Sequence, residues 1–123
     1  MPDDPHHPTL ADLTAMVLRF RDDRDWAQFH GPKDVALSLS LEAAELLEIM
    51  QWRNGPALDE HLRAEQEHLG QELSDILAWV LILAHDQGID LAQAFVAKIA
   101  HNAAKYPIAK ARGVARKYTE LDR

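Results

Sequence analysis

Apolar residues recur along this chain at intervals of three and four, the period of helices that bury one face. Leu10, Leu13, Met16, Val17 and Phe20 form the first stripe, opened by Thr9 and Asp12 in a capping-box pattern and closed by "RDDRDWAQFHG". Pro32 suits the first turn of a second helix, which runs to about Trp52 and meets the breaker cluster Asn54-Gly55-Pro56. The pattern resumes from about Asp59 to Gln87, polar at first and then almost wholly apolar from Leu73 to Ala84, with Gly88 placed to cap it. Asp90 and Gln93 open a fourth helix carrying Leu91, Ala94, Phe95 and Ile99, which ends before Pro107. Residues 1–8, with the His6-His7 pair, read as a disordered leader, residues 9–107 as one helical domain, and residues 108–123, which lack a clear period, as a C-terminal arm. Helices joined by short connections predict an all-α fold, an antiparallel four-helix bundle.

The second helix is unusual in where it sets its acids. With ~100° per residue and Val35 at zero, Glu42 falls at about 340°, between Ile49 at about 320° and Leu46 at about 20°. Glu42 therefore lies inside the apolar stripe; Glu45 sits on its margin, and Glu48 points to the other side. The third helix repeats this in "ELSDILAWVLILA", where Glu72 shares a face with Ile76, Trp79 and Leu83 and Asp75 follows one turn on. Four carboxylates on dry faces repel one another and resist desolvation unless protonated or neutralised. A divalent cation neutralises them, and an oxygen-only set without histidine or thiolate suits Mg²⁺, or Mn²⁺, rather than zinc. Glu-x-x-Glu is also a common pattern of solvated helix faces, so either pair alone carries little; two pairs on apolar faces carry more.

Composition narrows the field further. The 123 residues allow one domain, and a hydrophobic content of 47% with 7% aromatic residues agrees with helices. A charge of -7, from 20 acidic and 13 basic residues, opposes binding of long nucleic acid through its phosphates. No glycine-rich phosphate loop is present. The absence of cysteine fits a reducing cytoplasm, the acidic, proline-rich start is no signal peptide, and the run Ile76 to Ala84 is too short for the ~20 residues a bilayer needs, so no membrane association is expected. Lys98, Asn102 and Lys105 align along the fourth helix, where they can meet phosphate oxygens or simply face water. Trp26, Phe29 and His30 cluster before the second helix and Trp52 closes it; such rings stack on bases, though they more often pack.

Taken together, "RDWAQFHGPKDVALSLSLEAAELLEIMQW", "QELSDILAWVLILAHDQGIDLAQAFVAKIAHNAAKYP" and "KYTEL" resemble the dCTP pyrophosphatase branch of the MazG-like all-α nucleoside triphosphate pyrophosphatases, over nearly the whole chain. The resemblance implies Mg²⁺-dependent hydrolysis of a nucleoside triphosphate between its α and β phosphates, releasing pyrophosphate and serving to clear unwanted deoxynucleotides. By position, Glu42, Glu45, Glu72 and Asp75 would hold the metal, with Glu42 or Glu45 acting on the attacking water. Trp26, His30, Trp52 and Trp79 would line the base and sugar pocket, and Lys98, Asn102, Lys105 and Tyr106 would lie near the phosphates. Homodimers or homotetramers are implied. Trp79 stands where dCTP-specific members carry tyrosine, which opens the choice of base to dUTP or a broader set of noncanonical triphosphates. Two other readings of the acids are a di-iron bundle, which needs Glu-x-x-His pairs absent here, and a non-enzymatic helical interaction module.

Overall fold

The computed structural model of the protein describes residues 7–123. His6 and most of the expected leader lie outside the described residues. As the periodicity predicts, the described chain is all-helical: α1 (Leu10–Asp23), α2 (Pro32–Met50), α3 (Gly55–Ala64), α4 (Gln66–Asp86), α5 (Leu91–Lys105) and the short α6 (Ile108–Ala111), with 3₁₀ turns at Ala27–Phe29 and Tyr118–Glu120.

Local chemistry sets the ends of these helices. Thr9 Oγ1 accepts from the Asp12 amide at 3.1 Å and Asp12 Oδ2 accepts from the Thr9 amide at 2.8 Å, completing the capping box. Asp90 Oδ1 accepts from the Gln93 amide at 3.0 Å and starts α5. After α4, Gly88 takes a φ of 68°, and the amides of Gly88 and Ile89 donate to the carbonyls of His85 and Ala84 at 3.0 and 2.8 Å, a Schellman closure. The same closure ends α1 with Asp25 at a φ of 55°: the amides of Asp25 and Trp26 donate to the carbonyls of Asp22 and Arg21 at 3.0 Å each.

The helix expected from about Asp59 to Gln87 is instead two, because Asn54-Gly55-Pro56 starts a helix as well as ending one. Gly55 turns the chain at a φ of 56° and Pro56 occupies the first turn of α3. Glu65, at φ -99° and ψ 20°, then separates α3 from α4. The arm has more structure than its pattern suggests, holding α6 and the second 3₁₀ turn.

The chain divides into two compact units, the first ending at Ile89 and the second beginning at Asp90. In the first, α4 packs between α1 and α2. Val35, Ile49, Leu81, Ile82 and Ala84 are buried there, Val35 to 1% exposure. Arg21 is buried too, and its Nη1 meets Asp86 Oδ2 at 2.8 Å, tying the end of α1 to the end of α4. Leu73 and Leu77, inside the run expected to be buried all round, are half-exposed. In the second unit the Tyr106 and Tyr118 rings meet edge to face at 6.0 Å and Lys105 Nζ lies 4.6 Å from the Tyr118 ring centre, which anchors the arm to the end of α5, while Lys110 pairs with Asp122 within the arm at 2.8 Å. No helix among the described residues is long and apolar enough to cross a membrane.

Candidate active site

Packing of α2 on α4 brings the acids together. The i, i+3 spacing puts Glu42 and Glu45 on one side of α2, facing Glu72 of α4, and one carboxylate oxygen from each of the three lies within 4.8 Å of the others. Glu42 Oε2 and Glu72 Oε2 are buried with no hydrogen-bond partner. Burial raises the Glu42 carboxyl from 4.5 to about 7, reinforced by Glu45 and then by Asp75 and Glu72. Orphaned buried oxygens are rare in folded proteins, since each forfeits its hydration without return. Their convergence, all oxygen and all acidic, fits a hard divalent cation. Asp75 is not one of the three convergent residues; it acts on Glu42 through its charge and shares a cavity wall with it.

That cavity, of about 200 Å³, is walled by Val17, Phe20, Trp26, His30, Trp79 and Ile82, with Glu42 and Asp75 also on its lining. The Schellman turn after α1 sets Trp26 against Phe20, edge to face at 5.7 Å, and the 3₁₀ turn then brings His30 edge-on to Trp79 at 5.1 Å. Apolar ring faces beside carboxylates suit a flat heterocycle attached to a charged tail that a cation can screen. Glu45 and Glu72 also line a separate cleft of about 460 Å³, together with Glu48, Ile49, His61, Glu65 and His68. Glu48 is exposed and is not one of the convergent acids; it lines this cleft on the side of α2 where α3 and Glu65 build a further wall.

Residues 37–121 match the MazG-like family. The chain belongs to that family. It is 39% identical over 118 residues to dCTP pyrophosphatase 1 of Mus musculus, a match spanning 94% of this chain and 69% of the relative. The human dCTP pyrophosphatase 1 is 39% identical over 116 residues, 93% of this chain and 68% of that one. The crystal structure of a pyrophosphatase from Archaeoglobus fulgidus superposes with a TM-score of 0.76 at 36% identity, covering 83% of this chain and 95% of that one. This MazG-like protein is accordingly an enzyme of the pyrophosphatase kind.

Trp52 follows α2 at 82% exposure and is not on the lining of the cavity that holds Trp26, His30 and Trp79. Lys98, Asn102, Lys105 and Tyr106 belong to the second unit; Lys98 is exposed, and the Asn102 carbonyl accepts from the Tyr106 amide at 2.9 Å. Sequence reasoning passed over His68 and Glu65. His68 Nδ1 lies 3.2 Å from Glu65 Oε2, and its Nε2 lies 3.3 Å from Glu72 Oε1. The signal available for them was spacing, since Glu65, His68 and Glu72 follow i, i+3, i+7. Arg21, buried beside the cavity, carried no signal because its partner Asp86 is distant in sequence.

Proposed function

We propose that this enzyme hydrolyses dCTP, or a related or modified deoxynucleoside triphosphate, to the monophosphate and pyrophosphate, with Mg²⁺ held by Glu42, Glu45, Glu72 and Asp75. The observation that carries the reading is the convergence of the acids with two orphaned buried oxygens, beside a ring-lined cavity of nucleobase dimensions. The names of the relatives supply the cytosine nucleotide. Mn²⁺ is the alternative ion.

When bound, the ion would screen the phosphate charge and polarise the scissile phosphorus. The chain's own residues do the rest. Trp26, His30 and Trp79 seat the base in the cavity, while Glu42 and Asp75 stand where the cavity meets the acids. Glu42 or Glu45 accepts the proton of the attacking water at a carboxylate oxygen; burial raises the Glu42 carboxyl to about 7, and a bound cation would favour its ionised form. Lys98, Asn102, Lys105 and Tyr106 are assigned to the phosphates, and Trp52 to the base, by resemblance; the spacing of the first three along one side of α5 supports the former.

The same proposal includes a four-helix bundle assembled as a homodimer or homotetramer. Leu37, Leu41 and Leu47 on α2, and Phe95, Val96 and Ile99 on α5, are each at least 53% exposed, more apolar surface than an isolated chain ordinarily leaves in water. A cytoplasmic location, with nucleotide-pool clearance as the role, completes it.

A screen of nucleoside triphosphates with pyrophosphate detection, with and without Mg²⁺, tests the reading. The expected result is Mg²⁺-dependent release with dCTP foremost. Release from dUTP or a broad noncanonical set would transfer the assignment to those substrates, and no release from any triphosphate would overturn it.

A further inference from the structure

We propose that His68 is a positioning residue: it grips one oxygen of Glu72 from the cleft side, so that the other is presented to the cation. The inference rests on the reading that Glu42, Glu45 and Glu72 hold a divalent ion. Glu72 has three rotatable side-chain bonds and sits among acids that repel it, so in the absence of a restraint its carboxylate gains by swinging outward into the cleft lined by Glu48 and His61. His68 stands in its way. A helical side chain leans back over the preceding turn, and one turn before Glu72 is His68, whose Nε2 lies 3.3 Å from Glu72 Oε1. Glu72 Oε2 is the oxygen left buried without a partner.

His68 is itself held. Its Nδ1 lies 3.2 Å from Glu65 Oε2, and Glu65 occupies the junction of α3 and α4, where its amide donates to the His61 carbonyl at 2.9 Å and its carbonyl accepts from the Leu69 amide at 2.8 Å. The imidazole thus stands between the side chains of Glu65 and Glu72, donating to both carboxylates as imidazolium and to one of them as the neutral ring. Glu72 keeps 14% of its side chain exposed, against 49% for His68 and 40% for Glu65, so the restraint acts from the rim on a group that faces inward. Partners of this kind, which touch a metal's carboxylate rather than the metal, set its orientation, and their loss typically weakens metal affinity or activity by about 10–100-fold.

The test is Mn²⁺ binding to the full chain, measured by calorimetry or by the electron paramagnetic resonance of the free ion, with metal-free melting temperatures recorded alongside. His68→Ala is expected to raise the Mn²⁺ dissociation constant about tenfold or more with little change in metal-free melting temperature. His68→Gln, whose amide N–H can reach the same oxygen, is expected to recover most of that loss. A wild-type dissociation constant in His68→Ala overturns the inference. So does a loss matched by a fall in metal-free stability, which would make the role structural, and so does failure of Gln to recover any affinity. If the wild-type chain binds no Mn²⁺, the cation reading itself fails.

Discussion

Two stretches of α4, packed in one unit, are built on the same helical period and come out opposite in kind. Towards its C-terminus, Leu81, Ile82 and Ala84 are closed to water, all at 8% exposure or less. A few turns earlier the inward position belongs to Glu72, which shares the seam with Glu42 and Glu45 and leaves buried oxygens without partners. Burying aliphatic area stabilises the chain by about 25 cal/mol per Å², whereas burying unpaired carboxylates costs it. The aliphatic stretch is complete as protein. On the proposed reading a cation completes the acidic stretch, which accounts for carboxylates standing where a structural helix would place leucine.

The sharpest way to break this contrast is to neutralise the acidic stretch. Glu42→Gln or Glu72→Gln is expected to lower kcat/KM by about 100-fold or more while the metal-free protein becomes more stable, because an amide removes like-charge repulsion. The pH dependence carries the same signature. The Glu42 carboxyl is held at about 7 in the folded chain against 4.5 unfolded, so folding takes up a proton between these values. Metal-free stability from this group is therefore full below about pH 4.5 and is lost as pH rises through about 7, and the stability gained by Glu42→Gln grows over that window. Cation affinity runs the other way, rising as the carboxyl ionises. Melting curves in chelator from pH 5 to 8, compared with Mg²⁺-dependent melting shifts, check both signs; a Glu42→Gln protein less stable than wild type at pH 8 would contradict the account.

The complementary change strikes the aliphatic stretch. Leu81 is 4% exposed and lies on the α1 side of α4, away from the acids. Leu81→Ala is expected to destabilise the fold by about 2–5 kcal/mol, from lost burial and a residual cavity. At temperatures where the protein stays folded, the Mg²⁺ concentration for half-maximal activity should not move. A large shift in that concentration would mean that the two stretches are not independent.

The degree to which this contrast could be read in advance depends on how local each cause is. Capping pairs such as Thr9 with Asp12 and Asp90 with Gln93, and the closure at Gly88, act within one turn and are written in adjacent residues. The place of Glu42 inside the apolar stripe follows from the helical period alone. The break at Glu65 does not: "RAEQEHLGQ" is polar on nearly every side, so no apolar stripe shifts there to mark it. A wheel also knows one helix, so it sets Glu48 to the side of Glu42 and gives no sign of the cleft that α3 walls there. Trp52 lies two residues beyond the end of α2 at Met50 and is 82% exposed, outside the ring-lined cavity, so its assignment to the base rests on resemblance alone.

Trp79 sits where the two stretches meet, and the smallest expected effect belongs to it. Its indole packs edge-on to His30 at 5.1 Å and walls the cavity between Ile82 on one side and Asp75 and Glu42 on the other. Stacking on a ring is tolerant of base identity, so a shape change here alters choice only through pocket size and through hydrogen bonds to the base edge. Tyrosine supplies a hydroxyl that indole lacks and removes volume from the wall. Trp79→Tyr is therefore expected to raise the preference for dCTP over dTTP and dUTP by roughly tenfold in kcat/KM, at a cost in stability of about 1–2 kcal/mol for the space left behind. Mg²⁺ affinity should stay at the wild-type value, because position 79 is not one of the convergent acids Glu42, Glu45 and Glu72. Unchanged kcat/KM ratios together with the expected loss of stability would assign Trp79 to packing, and would extend the aliphatic stretch of α4 up to the edge of the acids.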